Sequence, residues 1–383
     1  MRLIAALAMS FILGAPSNEA SEVVFKVEDR SGIEVMVFGT PHLRRHNFEA
    51  EPIAVDMIRL SLAKYKPDHV VVEWLHPSIK PESTRNYSSY GDLESFAKKW
   101  GYEHKGADME LYKVSQTVVS LKKQGLPVKD LRLKLGKLYY LIRDKLNAGY
   151  QWWLAEEKGA DVTEFQQLTR NNFEGHELRI YGFHIARQQG LEYITPFDYQ
   201  GEDTAWLGGK VWVVLRDHLL KVKHGVEPGD PGWDELSEQY EKEYDALDYG
   251  DMTIVEKYGD IREAKERLAV SAFWEETQRR KRQIDNSDGL GYMRYLQSEE
   301  FLKSEKEMYY TYWAGVSIGG LGKKNVENYE LRNKNMVDFM EADIDRLGVK
   351  RVLIIVGSGH KLFLENELKE RGYTIVPSSG FMP

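Results

Sequence analysis

Short apolar runs punctuate the chain and alternate with segments that have helical spacing. The three clearest runs cover residues 34–38, 69–72 and 351–356, and two weaker runs cover 191–195 and 373–376. Each run is four to six residues long and rich in β-branched or aromatic side chains, which favours a buried strand over a buried helix. The pattern therefore predicts five short strands near the two ends and the middle of the chain.

The segments between these runs have helical periodicity. Ile53, Met57 and Leu60 recur at helical spacing after Pro52, which suits a first helical turn. We predict further helices over 325–347 and 360–371, the latter ended by Gly372. The unit from 34 to 72 is then a strand, a helix and a strand, which implies a parallel pair with a right-handed crossover.

Two long blocks, at about 92–190 and 204–313, have a helical pattern throughout, and residues 227–232 divide the second. The prediction is an α/β fold with a mixed, mostly parallel sheet, a duplicated β-α core and helical insertions that form a cap.

The N-terminus has the pattern of an export signal. Arg2 precedes an apolar stretch from Leu3 to Ala15, and this stretch is shorter than a membrane-spanning helix requires. We interpret residues 1–20 as a cleavable signal peptide and 21–383 as a single domain. The mature protein is then expected to be periplasmic or secreted, without an integral membrane segment.

Composition excludes several classes of function. The net charge of −8 comes from interspersed acidic and basic residues, so a nucleic-acid partner is not expected. The chain has no cysteine, which excludes disulfides, thiolate ligands and cysteine nucleophiles. Any metal must therefore be held by histidine or carboxylate side chains. Composition leaves the oligomeric state open.

One short pattern occurs twice. Residues 35–42 and 353–360 are each an apolar strand followed by Gly-x-x-His, with histidines at His42 and His360. In open parallel sheets, ligands bind beyond the carboxyl ends of the strands. We therefore expect both histidines at one edge of the sheet, because glycine gives each turn the conformational freedom to direct its histidine there.

Other ionisable groups follow the predicted strands. Glu73 comes directly after the second strand, and Asp198 follows the third. Two histidines and a carboxylate are the ligands of a catalytic divalent metal with open positions. The predicted metal ligands are His42, Glu73 and His360, and Glu73 or Asp198 is the candidate base. The metal-free alternative makes His42 or His360 the base, with Glu73 orienting it.

Six further residues belong to the same prediction. Gly39, Thr40, Gly357 and Ser358 lie in the two turns and are expected to line the cofactor side of the site. On the helix before the strongest strand, Arg332 could pair with Glu73 or bind a substrate carboxylate. Asn333 is its neighbour, and we assign both residues to the catalytic group.

These motifs resemble the TraB/Tiki/erythromycin-esterase superfamily, and the chain is most similar to an uncharacterised bacterial branch of it. The resemblance rests on Gly39-Thr40-Pro41-His42, the strand-terminal Glu73, Arg332-Asn333-x-x-Met336 and Gly357-Ser358-Gly359-His360. It covers the sheet regions at about 34–74, 191–200 and 329–376, and not the helical insertions.

The resemblance carries different implications in different branches. The Tiki branch implies metal-dependent proteolysis through the paired histidines, with manganese or cobalt, while the ligand types alone also suit zinc. The erythromycin-esterase branch implies metal-free hydrolysis of a cyclic ester by His and Glu. Our prediction is a metal-assisted hydrolase of a peptide or of a small ester or amide. The rivals are a metal-free esterase, a protein that binds haem or another ligand in the same cleft, and a non-catalytic interaction protein.

Overall fold

A computed structural model describes residues 29–41, 52–79, 93–100, 120–165, 175–199, 224–239, 289–313 and 321–383, without residue 122 and with residues 168, 173, 217, 220 and 221 in addition. His42, the predicted signal peptide at 1–20 and most of the second helical block lie outside the described residues.

A parallel sheet of five strands forms the centre of the fold, in the order β3-β2-β4-β1-β5. The strands are β1 (Glu34–Thr40), β2 (His69–Leu75), β3 (Thr195–Asp198), β4 (Arg351–Gly357) and β5 (Thr374–Ile375). Every strand pair is parallel, so the predicted α/β class is confirmed, with a sheet that is parallel throughout. The two strands of the repeated pattern, β1 and β4, are direct neighbours, and Thr40 pairs with Gly357.

Helices connect and cover these strands. Among the described residues, the α-helices include α1 (Pro52–Lys64), α2 (Leu93–Lys99), α3 (Val128–Leu141), α4 (Lys145–Glu156), α5 (His184–Gln188), α6 (Gly289–Leu296), α7 (Glu299–Glu307), α8 (Leu321–Leu347) and α9 (Ser358–Glu370). A π-helical segment, Leu178–Phe183, leads into α5, and a second one, Met308–Trp313, follows α7. None of the helices within the described ranges has the length and apolarity to span a membrane.

Alternate strand residues point to opposite faces of the sheet, and each face has its own core. On one face, Met36, Phe38 and Ile355 pack against α1 and against helices of both insertions, which contribute residues such as Tyr150 and Met293. The other face is covered by α8 and α9. Its core residues are Val35, Val37, Ile354, Met336, Met340, Leu364 and Leu368. The insertions thus cover one face of the sheet together with α1, and they also form their own cluster around α3 and α4.

The third strand does not occupy the predicted residues. The expected run at 191–195 is wrong, because β3 begins at Thr195 and ends at Asp198. The backbone of Ile194, the residue before β3, is hydrogen-bonded to a side chain of α4 and not to a neighbouring strand. Asn147 donates from Nδ2 to the Ile194 carbonyl at 2.8 Å and accepts the Ile194 amide at 2.9 Å. Because Asn147 satisfies both backbone groups of Ile194, sheet pairing starts one residue later.

Candidate functional site

Two acidic side chains at the carboxyl ends of β2 and β3 share one guanidinium. Arg332 Nη2 lies 3.2 Å from Glu73 Oε1 and 2.7 Å from Asp198 Oδ1, and Arg332 Nε donates to the same Asp198 oxygen at 3.0 Å. β2 and β3 are neighbours, and Leu75 pairs with Asp198 after an irregularity in the register. Glu73 follows Val71 by two positions, and Val71 packs in the core beneath α8, so strand alternation places Glu73 on the face covered by α8, which carries Arg332. The pairing proposed from sequence between Arg332 and Glu73 is therefore present.

The second Glu73 oxygen faces the start of α9. Glu73 Oε2 accepts a hydrogen bond from the Gly357 amide at 2.7 Å, at the residue that caps this helix. The positive end of the helix dipole stabilises a carboxylate placed there. Helix α9 begins at Ser358 rather than at the predicted His360, so His360 lies in its first turn.

Two residues of α8 hold the imidazole of His360. Its Nδ1 lies 2.8 Å from Asn333 Oδ1, and Asn333 Nδ2 donates to the Tyr329 carbonyl at 2.7 Å. That second bond fixes which end of the amide faces the ring, so Nδ1 carries the hydrogen and donates to Asn333. The Tyr329 ring lies nearly parallel to the imidazole at a centroid separation of 4.7 Å. The plane and the tautomer of His360 are therefore both set by α8.

The remaining nitrogen of His360 faces Glu73. His360 Nε2 and Glu73 Oε1 are 3.3 Å apart. Because Nδ1 holds the hydrogen of a neutral ring, Nε2 presents a lone pair to a carboxylate oxygen. Two acceptors at this separation repel each other unless a cation or a proton lies between them. This pair is therefore the candidate position for a shared proton or a bound cation.

Charge and burial act together on the two basic groups. Burial lowers the pKa of His360 below its ordinary value of 6.5, while the Glu73 carboxylate acts in the opposite direction. Burial alone would also lower the pKa of Arg332, but the charges of Asp198 and Glu73 raise it. The imidazole of His360 thus lies beside one guanidinium and two carboxyl groups, and imidazole and carboxylate are common ligands of divalent cations.

Three of the remaining predicted site residues lie where the ends of β1 and β4 meet. Gly39 lies against the second turn, because an added Cβ would be 3.1 Å from the Ser358 Cα atom. Thr40 is fully buried, and its hydroxyl donates to the Val356 carbonyl at 3.2 Å. Ser358 is 7% exposed. These three residues pack the two turns together.

The donor set fits a divalent metal such as zinc. Two zinc ligands with bonds of about 2.1 Å at tetrahedral angles lie about 3.4 Å apart, close to the 3.3 Å between His360 Nε2 and Glu73 Oε1. A ligating histidine also donates its other N–H to a fixed acceptor, as His360 does to Asn333. Within the described ranges no cluster of three or more His, Asp and Glu side chains could hold a metal ion. His42, the third predicted ligand, lies outside these ranges.

Two contributors to the site were not found from the sequence. Tyr329 stacks on His360, and Gln297 binds the backbone of Gly39. Tyr329, Arg332, Asn333 and Met336 follow the spacing of one helical face, so Tyr329 could have been recognised from periodicity. Gln297 lies 258 positions from Gly39, and no local pattern signals such a contact.

Comparison of the chain with family models, with curated proteins and with solved structures gave no match.

Proposed function

We propose that this protein is a hydrolase of a peptide or of a small ester or amide, and that a divalent cation assists at His360 and Glu73. The observation that most strongly supports this proposal is the 3.3 Å distance between His360 Nε2 and Glu73 Oε1, with His360 Nδ1 hydrogen-bonded to Asn333. A bound cation there would polarise a substrate carbonyl and lower the pKa of a water molecule. His42 is the proposed third ligand, following the resemblance to the Tiki branch.

Asp198, Glu73 and Arg332 have separate roles in this proposal. Asp198 receives two hydrogen bonds from Arg332, so it serves mainly to position that guanidinium. Glu73 faces His360 and serves with it as a ligand of the cation. Arg332 is 20% exposed in its side chain, and its Nη1 has no hydrogen-bond partner among the described residues. These N–H groups can bind a substrate carboxylate or the oxyanion formed during hydrolysis.

A metal-free route is the second candidate, and one observation favours it. Arg332 already neutralises part of the charge of Glu73, and this weakens the attraction of the same carboxylate for a metal ion. In that route His360 would take the proton from water, and Glu73 would stabilise the resulting imidazolium ion. This is the chemistry that the erythromycin-esterase branch implies.

Metal analysis combined with hydrolysis separates these proposals. The mature protein is purified without chelator, its metal content is measured, and hydrolysis is followed with a nitrophenyl ester and an aminoacyl nitroanilide. We compare wild type, His360→Gln and the control His184→Gln, which changes a partly buried histidine beside Trp153. The proposal predicts about one metal ion per chain in wild type and the control, and loss of both metal and hydrolysis in His360→Gln.

The other outcomes are equally informative. Hydrolysis without metal that still disappears in His360→Gln supports the metal-free route and overturns the role of the cation. A haem absorbance band without hydrolysis overturns the enzyme proposal in favour of a ligand-binding protein. Equal metal content and equal hydrolysis in both histidine variants would show that His360 is not part of the site.

A further inference from the structure

The outer edge of β1 extends beyond the strand that covers it. Residues 33, 35, 37 and 39 direct their backbone groups toward the same edge, because these directions alternate along a strand. β5 satisfies the first part, where the Thr374 and Val376 amides donate to the Ile33 and Val35 carbonyls at 3.0 and 2.9 Å. Its pairing with β1 ends at Val35. Val37 and Gly39 therefore need other partners at a buried edge.

Side chains take the place of the missing strand. Lys361 Nζ donates to the Val37 carbonyl at 2.8 Å. Gln297 binds both backbone groups of Gly39, since Nε2 donates to the carbonyl at 2.8 Å and Oε1 accepts the amide at 3.2 Å. The primary amide of Gln297 thus imitates one residue of a paired strand.

This arrangement closes into a buried polar network. The Ser378 hydroxyl donates to Gln297 Oε1 at 2.9 Å, and Lys361 Nζ donates to Ser378 Oγ at 3.1 Å. Lys361 also pairs with Glu365, one turn further along α9. Gln297, Ser378 and Lys361 are at most 4% exposed. The three hydrogens of the ammonium group therefore all have acceptors, and the network holds Gln297 in one orientation.

Gln297 follows directly on α6, which belongs to the second helical insertion. Gly39 lies so close to Ser358 that an added Cβ would be 3.1 Å from the Ser358 Cα atom. Any shift of Gly39 is therefore transmitted to the turn that carries His360. We propose that Gln297 is a positioning residue, through which the second insertion sets the geometry of Gly39 and of the turn that carries His360. This inference rests on the proposed function of His360.

The test compares two neighbouring residues. Gln297→Leu removes the hydrogen bonds to Gly39. Leu296→Ala, at the last residue of α6, removes packing from the apolar core, where Leu296 is 1% exposed, and keeps the Gln297 side chain that binds Gly39. The readouts are the Mn²⁺ dissociation constant, the absorption spectrum of bound Co²⁺ and the midpoint of urea unfolding. We expect about tenfold weaker Mn²⁺ binding and an altered Co²⁺ spectrum in Gln297→Leu. Leu296→Ala should lower the urea midpoint with Mn²⁺ affinity within about twofold of wild type.

Wild-type Mn²⁺ affinity in Gln297→Leu, or equal weakening in Leu296→Ala, would overturn the proposal. If Gln297→Leu does not fold, Gln297→Glu decides by the same measurements, because it keeps the shape and loses the donor to the Gly39 carbonyl. Failure of the proposed function is seen separately, as Mn²⁺ binding that His360→Gln leaves unchanged. In that case hydrogen exchange of the Gly39 amide tests the contact without any metal, and exchange no faster in Gln297→Leu than in Leu296→Ala overturns it.

Discussion

Asn333 Oδ1 lies 2.8 Å from His360 Nδ1, and this contact decides which nitrogen of the imidazole is directed toward Glu73. The same asparagine is anchored through Nδ2 to the Tyr329 carbonyl one turn earlier in α8. Helix α8 therefore orients the Asn333 amide, and this amide orients the His360 imidazole. In that orientation the Nε2 lone pair of His360 faces Glu73.

Replacement of this asparagine should impair the site far more than the fold. We predict that Asn333→Ala weakens Mn²⁺ binding about 10- to 100-fold, because a ligating histidine loses the acceptor that orients it. The imidazole ¹⁵N spectrum should also show a mixture of tautomers. The control is Asn335→Ala, two residues away on α8 at a partly exposed position. Equal Mn²⁺ affinity in the two variants would contradict the assigned role of Asn333.

Arg332 is expected to stabilise the folded state through its two carboxylates. In Arg332→Met, Asp198 and Glu73 remain buried without their cation, which should lower the free energy of unfolding by about 3–5 kcal/mol. Adding Asp198→Asn should recover part of this loss. Urea unfolding measures both changes.

The control for this prediction is Arg346→Met, on the same helix. Arg346 also pairs with an aspartate, Asp343, but its side chain is 50% exposed, so its loss should cost no more than about 1 kcal/mol. A similar cost for Arg332→Met and Arg346→Met would show that the buried cluster contributes no special stability.

Much of the site could be predicted because strand ends in a parallel sheet converge. The apolar runs gave the positions of β1, β2 and β4, and the ionisable residues after them identified Glu73 and His360. The pairing of Arg332 with Glu73 followed from charge and from the position of the helix. These inferences use only local pattern and the general topology of parallel sheets.

Other features depended on contacts that no local pattern contains. The start of β3 is set by Asn147, which binds Ile194 from 47 residues away. Gln297 completes the edge of β1 from the far side of a long insertion. In both cases a distant side chain takes the place of a neighbouring strand as the hydrogen-bond partner of a backbone group. The residues near the strand do not show whether such a side chain is present.

The helical hairpin of the first insertion offers a test of packing away from the site. Gly136 in α3 faces Trp152 in α4, and an added Cβ would overlap the indole nitrogen of Trp152. Alanine gains up to about 1 kcal/mol from helix propensity. Overpacking against a ring that stacks on Phe165 costs about 1–3 kcal/mol. We therefore predict that Gly136→Ala is destabilising overall in urea unfolding and alters tryptophan fluorescence. Gly32→Ala, with no atom within 4 Å of the added Cβ, should leave both unchanged.

The last prediction concerns pH and a buried histidine at the opposite end of β2. His69 Nε2 lies 2.7 Å from Thr195 Oγ1, and the Thr195 hydroxyl donates to Asp343, so the histidine is the donor in this chain. Burial lowers the pKa of His69 from 6.5 to about 4, against the opposing charge of Asp343. Arg346 lowers it further, and Asp68 raises it.

The direction of the pH effect follows from this lowered pKa. Below about pH 6.5 the unfolded chain takes up a proton at His69 while the folded protein stays neutral, so folding becomes less favourable as the pH falls toward 4. The lowered pKa corresponds to about 3 kcal/mol, which is fully available above pH 6.5 and lost progressively toward pH 4. We predict that the difference in unfolding free energy between wild type and His69→Gln shifts by about this amount in favour of the variant between pH 7 and pH 4. Glutamine can still donate to Thr195 and does not titrate. Urea unfolding at a series of pH values measures the shift, and a constant difference across the series would show that His69 is not held neutral by the fold.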